Sequence, residues 1–237
     1  MGNTKIMLFL QQKDKYMDIL PILAQSLLFQ GVSLTDLPHL IRCLEPKEVT
    51  YPKDYTIIEE GDILDELAII LSGSVSIVRH DFWGNRTLVA KLGVSDIFAE
   101  TVACTADKSV ASVISEEKTV VLFLGVEKIL STCPSACVFH HIIIENMVKL
   151  LAQKNLSLMQ KMNHITKRNT REKLLSFLSE QALHSGRQKF SIPFDRQQLA
   201  DYLCVERSAM SSCLSRMRSD GLIEYTKNTF ILKQGEL

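Results

Sequence analysis

The chain has 237 residues, of which 46% are apolar, and its 27 Lys and Arg residues balance its 27 Asp and Glu residues. This length allows two domains with proper cores. No apolar run reaches the roughly 18 residues that cross a bilayer, so we predict no membrane partner. The zero net charge excludes nucleic-acid binding over the whole surface, but residues 166–237 carry 12 basic against 8 acidic residues, which suits a local contact with an anionic partner.

The first ten residues contain a short apolar patch and one Lys. This patch is too short for a secretory signal. The six cysteines are scattered along the chain, and a chain of this size does not need a disulfide framework. We therefore predict a cytoplasmic protein with reduced thiols.

Residues 16–42 are predicted to be helical because leucines recur at helical spacing, with a second short helix starting at Leu34. From residue 45 to residue 124, short runs of alternating polarity are separated by Gly, Pro and Asp. Strands at intervals of about ten residues predict an antiparallel β-barrel or jelly roll. The predicted strands cover residues 56–58, 68–71, 75–78, 87–90, 109–114 and 120–124.

A short helix is predicted at residues 126–131, and a long helix from about Ser135. Apolar residues and one Asn recur along the long helix in steps of 4 and 3 for three heptads, a pattern typical of a two-stranded coiled coil. Asn155 at a seam position would fix the register. The predicted dimer interface consists of Ile144, Val148, Leu151, Asn155, Leu158 and Met162. The alternative is a helix packed on its own domain.

The C-terminal residues predict three helices and a hairpin. Thr170 is predicted to cap the first helix, and Asp195 to open the second through a capping box with Gln198. The third helix, residues 206–219, would turn its Met and Leu residues inward. Two strands around Lys227 and Asn228 complete a winged helix-turn-helix.

The third helix of such a domain enters the major groove by its N-terminal end. Arg207 would form a bidentate contact with a guanine edge, and small serines would allow close approach and bond phosphates or bases. The helix N-terminus itself would favour a phosphate. The predicted DNA-binding residues are Thr170, Arg196, Arg207, Ser208, Ser211 and Ser212. The alternative is a protein-binding winged helix with solvated serines.

Residues 197–211, 214–217 and 220–223 closely resemble the recognition segment of bacterial CRP/FNR-type transcription regulators, and residues 71–75 and 96–100 resemble the family's β-roll signature and the start of its ligand cassette. The resemblance implies an α+β chain with an antiparallel β-roll (jelly-roll) sensor at 1–132, a dimerisation helix at 133–166 and a winged helix-turn-helix at 167–237. It further implies a homodimer on a pseudo-palindromic DNA site, with RNA polymerase as a partner if the protein is an activator. A ligand would shift the population between two arrangements of the DNA-binding domains.

Cyclic-nucleotide binders of this family carry Gly-Glu-(Leu/Ile) and, about ten residues later, Arg-(Ser/Thr). Here the corresponding effector residues are Ala99, Glu100 and Thr101, then Lys108 and Ser109. Lys lacks the bidentate fork of Arg, and Ala lacks the backbone latitude of Gly. The departures disfavour a cyclic nucleotide and favour another anionic or apolar small molecule. An empty pocket is the alternative.

Three cysteines have a candidate chemical role. Cys133 and Cys137 lie four apart, His140 and His141 follow, and Cys104 belongs to the cassette. Together they could bind a metal, haem or an iron–sulfur cluster, or form a redox pair. The favoured interpretation is that these cysteines are inert.

His164 and His184 are predicted to be surface residues. The sequence contains no nucleophile elbow, Walker loop, His-Glu-x-x-His or dinucleotide fingerprint, and we predict that the protein is not an enzyme. The favoured function is a dimeric DNA-binding regulator controlled by a small-molecule or redox signal. The alternative is a β-roll sensor or protein-interaction module that does not bind DNA.

Overall fold

The structure is a computed structural model that describes residues 16–84, 86–131 and 138–233. The chain forms two compact units. The first comprises residues 1–79 and 91–153, and the second comprises residues 80–90 and 154–237. One strand segment from the middle of the chain and the end of the long helix therefore belong with the C-terminal residues.

The first unit begins with helix α1 (Leu20–Gln25), a 3₁₀ turn (Leu27–Phe29) and helix α2 (Leu37–Leu44). The predicted helix start at Leu34 is wrong, because Pro38 lies in the first turn of α2. Proline is tolerated at that position since the N–H groups of the first turn have no intrahelical partner.

Two four-stranded sheets make up the predicted roll. The strands are β1 (Lys47–Tyr51), β2 (Thr56–Ile58), β3 (Glu66–Ser72), β4 (Val75–His80), β5 (Arg86–Leu92), β6 (Ile97–Phe98), β7 (Ser112–Ser115) and β8 (Thr119–Gly125). The strand orders are β1-β8-β3-β6 and β2-β7-β4-β5. Strand β8 pairs antiparallel with both β1 and β3, and β7 pairs antiparallel with both β2 and β4. The predicted jelly roll is confirmed, and β1 and β6 are additions to the predicted strands.

Strand β3 separates two apolar cores. Ala68 and Ile70 face the core between the two sheets, whereas Leu67, Ile69 and Leu71 pack in the core formed with the helices. Both faces of β3 are buried, which explains why its sequence is a continuous apolar run rather than an alternating one.

The turn between β3 and β4 requires a glycine. Gly73 has φ +83°, and a Cβ atom there would lie 2.6 Å from Thr119 Oγ1 and 2.7 Å from the Lys118 carbonyl oxygen. Because a side chain would collide with the adjoining backbone, this part of the β-roll signature has a steric cause.

Three helices complete the first unit: α3 (Glu100–Thr105), α4 (Val126–Leu130) and the first part of α5 (Val138–Ile165). The predicted start of the long helix at Ser135 lies outside the described residues. No helix in the described ranges has the length and apolarity needed to cross a membrane.

The N-terminal part of α5 is fixed to the N-terminal helices by an apolar face and one buried amide. Ile143, Met147 and Leu150 pack into the helical core. Asn146 donates from Nδ2 to the carbonyl oxygens of Leu28 (3.0 Å) and Gln30 (2.7 Å). These bonds satisfy two backbone acceptors beside the 3₁₀ turn.

The second unit has a winged helix-turn-helix arrangement, as predicted. Its C-terminal elements are α6 (Thr170–Ser185), β9 (Lys189–Ser191), α7 (Arg196–Tyr202), α8 (Arg207–Ser219), β10 (Ile223–Thr226) and β11 (Thr229–Leu232). The three strands have the order β10-β11-β9. The capping box of Asp195 with Gln198 is confirmed, and so is the two-residue turn, because Thr226 pairs with Thr229.

The predicted cap of α6 is one residue out of place. Asn169, not Thr170, is the N-cap, and its side-chain oxygen accepts from the Glu172 N–H at 2.9 Å. Asn has the extended backbone that a cap requires and is among the preferred N-cap residues. Thr170 is the first helical residue.

Replacing Asn169 with Ala should lower the free energy of unfolding by about 1 kcal/mol, because the Glu172 N–H loses its acceptor. The measurement is urea unfolding followed by far-UV circular dichroism. Thr170→Ala is the matched control and should stay within about 0.5 kcal/mol of the wild type. An equal loss in both variants would show that Asn169 is not the cap.

Candidate nucleic-acid interface and effector site

The outward face of α8 is fixed by the burial of its inward face. Met210, Leu214 and Met217 are buried, and their spacing of four and three residues places them on one side of the helix. Arg207 and Ser212 are exposed on the remaining surface. The predicted orientation of this helix is confirmed.

The N-terminus of α8 is occupied by an acid. The Glu206 carboxylate accepts from the N–H groups of Ser208 (2.9 Å) and Ala209 (2.7 Å), and from the Ser208 hydroxyl. These hydrogen bonds lower the pKa of Glu206, the one from the Ser208 hydroxyl contributing most. The predicted preference of this helix end for a phosphate stays a prediction, and a phosphate there would have to replace Glu206 on these donors.

The serines of α8 are not equivalent. Ser211 is half-buried and its hydroxyl donates to the Arg207 carbonyl at 2.9 Å, a bond that turns the hydroxyl back onto its own helix. Ser212 is exposed. Ser212 therefore presents its hydroxyl to a ligand more directly than Ser208 or Ser211.

Arg196 is held against the hairpin formed by β10 and β11. Its guanidinium lies 4.7 Å from the Tyr225 ring centroid and 5.2 Å from that of Phe230, and Nη2 donates to the Lys227 carbonyl at 3.0 Å. The guanidinium of Arg218 also lies close to this ring, 5.1 Å from the Tyr225 centroid. The predicted DNA-binding residue Arg196 thus supports the hairpin turn.

An open groove of ≈ 830 Å³ lies beside this hairpin and carries basic side chains that the sequence analysis missed. Lys189, Arg218 and Lys227 line it. They come from β9, the end of α8 and the hairpin turn, and only the pairing of the strands brings them together. Thr170, also predicted to bind DNA, is half-buried at the start of α6, and Arg171 beside it pairs with Asp220 at 2.6 Å.

The predicted dimer seam on α5 is largely exposed. Val148, Leu158 and Met162 are 63%, 52% and 59% exposed. Ile144 and Leu151 are half-buried and Asn155 is exposed. The apolar surface is wider than predicted, because the neighbouring Leu156 and Met159 are exposed as well.

The opposite face of α5 in the second unit is polar and buried. Lys161 is 8% exposed. Its Nζ donates to the carbonyl oxygens of Leu88 and Val89, the latter at 3.2 Å, and lies 4.5 Å from the Tyr202 ring centroid. Burial lowers the pKa of Lys161 and raises the pKa of Tyr202 to about 12. Nothing in the helical pattern distinguishes this Lys from a surface one.

The prediction that His164 is a surface residue is wrong, because it is 2% exposed. It lies one turn after Lys161 on the same buried face. His184 is exposed, as predicted.

The effector cassette begins with an unusual backbone. Ala99 has φ +64° and precedes α3, a conformation that favours glycine. Glu100 is buried, and its carboxylate accepts from the Thr101 hydroxyl at 3.2 Å. Ala99 therefore adopts a backbone conformation that a glycine would favour.

The second half of the cassette is tied to the β2–β3 turn. Ser109 is buried and donates from its N–H to the Asp62 carbonyl, while its own carbonyl accepts from the Gly61 N–H, both at 2.7 Å. The Ser109 hydroxyl donates to the Ala111 carbonyl at 2.6 Å. Lys108 is exposed. Its charge is thus solvated, whereas Ser109 already uses its hydroxyl internally.

The interior of the roll is apolar. The buried side chains between the sheets are Ile58, Ala68, Ile70, Val75, Phe98, Val113 and Val121. Half-buried Leu64, Leu92 and Phe123 pack against them. These side chains pack against one another and form the core between the two sheets.

The cysteines form no metal site within the described ranges, where no group of three His, Cys, Asp or Glu side chains is placed to hold an ion. Cys133 and Cys137 lie outside those ranges. Cys104 as a whole residue is exposed. The pKa of its thiol is raised, mainly because the thiol is partly buried and secondly because of the negative charge of Glu100. A raised pKa reduces the thiolate fraction and hence reactivity.

Two family models match the chain: the cyclic nucleotide-binding domain at residues 48–135 and the Crp-like helix-turn-helix domain at residues 172–237. A stretch of 79 residues is 39% identical to the CRP-like cAMP-activated global transcriptional regulator of Mycobacterium tuberculosis. This stretch is 33% of the present chain and spans only 34% of that relative's length.

Solved structures share the fold. FixK2 from Bradyrhizobium japonicum aligns with a TM-score of 0.61 at 17% identity, over 80% of this chain and 93% of that one. The c-di-GMP responsive global regulator CLP of Xanthomonas campestris aligns with a TM-score of 0.65 at 16% identity, over 83% and 99%. Since the two matched domains are those that the sequence resemblance predicts, the chain belongs to the CRP/FNR family.

Proposed function

We propose that this protein is a homodimeric, DNA-binding transcription regulator that acts in the cytoplasm on a pseudo-palindromic site. The observation that carries the proposal is the exposed N-terminal part of α8, which Met210, Leu214 and Met217 hold outward. A helix presented in this way beside a basic hairpin has the form required to enter a major groove. RNA polymerase is a further partner if the regulator is an activator.

The contacts to DNA divide into base readout and phosphate binding. Arg207 would bond a guanine edge. Ser212 would bond a base or phosphate, and the Glu206 carboxylate, after release of its cap bonds, can accept from a cytosine amine. Lys189 and Lys227 on the groove beside the hairpin would neutralise phosphates, with Arg196 holding the hairpin in place.

Dimerisation is supported by the exposed apolar surface of α5. Leu158 and Met162 project from the same side of the helix, and an apolar stripe of this kind is costly to leave in water. A second copy of α5 would cover it in a coiled coil. Two recognition helices would then address half-sites about one helical turn of DNA apart.

The signal is a small molecule held in the β-roll. Two of the relatives named above are described as cAMP-activated and c-di-GMP responsive. This chain differs in the residues that would meet a cyclic phosphate, because Lys108 is exposed and Ala99 replaces a glycine. We favour a ligand with an apolar body over a cyclic nucleotide, and over a redox signal because of the raised pKa of Cys104.

Replacing Arg207 with Ala should cost about 1–3 kcal/mol of specific DNA binding if the guanidinium bonds a base. The probe is a duplex that the wild-type protein selects from a random library, and the measurement is fluorescence anisotropy. Arg187→Ala removes the same charge from an exposed position outside α8 and serves as the control. A sensor that does not read DNA would select no duplex, or would lose nothing with either variant.

Replacing Leu158 with Lys should weaken the dimer by about 100-fold or more, because an unpaired charge would be buried in the interface. Sedimentation velocity over a concentration series measures the change. Leu183→Lys is the matched control, since Leu183 is 80% exposed on α6. If L158K and L183K sediment alike, α5 is not the dimer seam.

Cyclic AMP at about 1 mM should leave the Tm unchanged, whereas a ligand at about 100 times its Kd adds about 2.7 kcal/mol to the stability of the folded protein. Differential scanning fluorimetry with 5′-AMP as the control makes this comparison. Mass spectrometry of an extract from unfolded, purified protein should reveal an apolar small molecule. A rise in Tm with cyclic AMP and not with 5′-AMP would contradict the proposed ligand class.

A further inference from the structure

Three polar side chains connect α5 to α6: His164 on α5, and Ser176 and Glu180 on α6. His164, in the last turn of α5, is buried, and its Nδ1 lies 2.8 Å from the Ser176 hydroxyl oxygen. Its Nε2 lies 3.1 Å from a Glu180 carboxylate oxygen. Both ring nitrogens of one imidazole thus have partners on α6, so the ring is held at both ends.

His164 lies where α5 ends and α6 is about to begin. We call this contact of His164 with Ser176 and Glu180 the α5–α6 joint. Only residues 166–169 separate α5 from α6, and the Lys167 N–H donates back to the His164 carbonyl at 3.4 Å. Because the connection is so short, the two bonds of the imidazole tie α6 directly to the last turn of α5 and contribute to the direction in which α6 leaves it. α6 is the first helix of the winged helix-turn-helix, so this direction also orients α8.

The charged and titratable groups around the imidazole come from every element packed on it. Glu180 on α6 is the nearest anion, and His184, also on α6, lies 3.8 Å from the second Glu180 oxygen. Lys167 in the connection is the cation whose charge acts on the ring, and Lys161 lies one turn earlier on α5, over the Tyr202 ring. Tyr202 of α7 approaches through Phe177, whose ring lies 5.7 Å from that of His164.

We propose that His164 is a positioning residue that holds α6 on α5 only while its imidazole is neutral, so that acidification releases the DNA-binding domain. The proposal rests on the proposed function for its effect on DNA, but not for the joint itself. In the neutral ring, Nε2–H donates to Glu180 and Nδ1 accepts from the Ser176 hydroxyl. Protonation turns Nδ1 into a donor, so the Ser176 hydroxyl must rotate and the buried ring acquires a charge.

The sign of the pH effect follows from the surroundings. Burial lowers the pKa of His164 from its ordinary value of 6.5 and is the largest influence, while Glu180 raises the pKa and Lys167 lowers it. A base whose pKa is lowered on folding binds fewer protons in the folded state. Its stabilising contribution is therefore complete above pH 6.5 and is lost as the pH falls through the lowered pKa.

The direct test of the joint needs no DNA. Nuclear magnetic resonance titration of the full-length protein, with ¹³C-labelled histidines, should show one resonance with a midpoint below 6.5 that is missing in His164→Gln. Glu180→Gln should move that midpoint still lower, because the carboxylate that favours protonation is gone. Ser176→Ala removes one hydrogen bond of the imidazole and should weaken the attachment of α6 to α5, while the His164 ring still titrates. A His164 midpoint at or above the ordinary value, or one indifferent to Glu180→Gln, would overturn the proposal.

The functional test measures DNA affinity at constant ionic strength between about pH 7.5 and about pH 5.5, using the duplex selected by the wild-type protein. In the wild type we expect the Kd to rise by up to about tenfold for each unit by which the pH falls. In His164→Gln the Kd should no longer depend on pH in this way. His184→Gln, an exposed neighbour of the same carboxylate, should keep it. Equal pH profiles for the wild type and His164→Gln would overturn the coupling to DNA.

The two tests fail separately. If no duplex is selected at any pH, the proposed function fails, while the histidine titration still decides whether the joint exists. If His164→Gln does not fold, the same titration of Ser176→Ala and Glu180→Gln still decides it. Retention of the wild-type midpoint in Glu180→Gln would count against the proposal in that case.

Discussion

The structure depends on a change in the buried face of α5 along its length. In the first unit this helix packs through Ile143, Met147 and Leu150, and hydrophobic burial fixes it there without directional bonds. In the second unit its buried face carries Lys161 and His164 instead. Polar contacts of this kind are directional and lose their stabilising effect when a partner moves. The same helix is therefore held by apolar packing in the first unit and by directional polar contacts in the second.

The winged helix-turn-helix shows the same division between packing and presentation. Apolar burial holds α8, but the residues available to a ligand are decided by local hydrogen bonds. Glu206 uses the N–H groups at the helix start, and Ser211 is bonded to its own helix. Arg196 stacks on Tyr225 and Phe230, and so contributes to the position of the hairpin rather than to a free basic surface. Arg207 and Ser212 are exposed on this helix.

The β-roll retains its framework while its binding chemistry differs from the family pattern. At Gly73 a side chain would collide with Thr119 and the Lys118 carbonyl, so sterics preserve the residue. At Ala99 the left-handed backbone remains without a glycine, which costs of order 1 kcal/mol and persists only when the surrounding structure imposes it. The cassette thus has a left-handed backbone at Ala99 without a glycine, and Lys108 is exposed.

The sequence by itself determined the features whose cause lies within a few residues. Three features are of this kind: the alternation along the strands, the capping box of Asp195 with Gln198, and the inward spacing of Met210, Leu214 and Met217. Each depends on the repeat of a helix or strand, or on a hydrogen bond between residues close in the sequence. The family resemblance added the order of the domains. Only the tertiary structure decided that Lys161 and His164 are buried, since their partners Leu88 and Glu180 belong to other elements. A polar residue on a helix is read as solvated until the structure shows what packs against it.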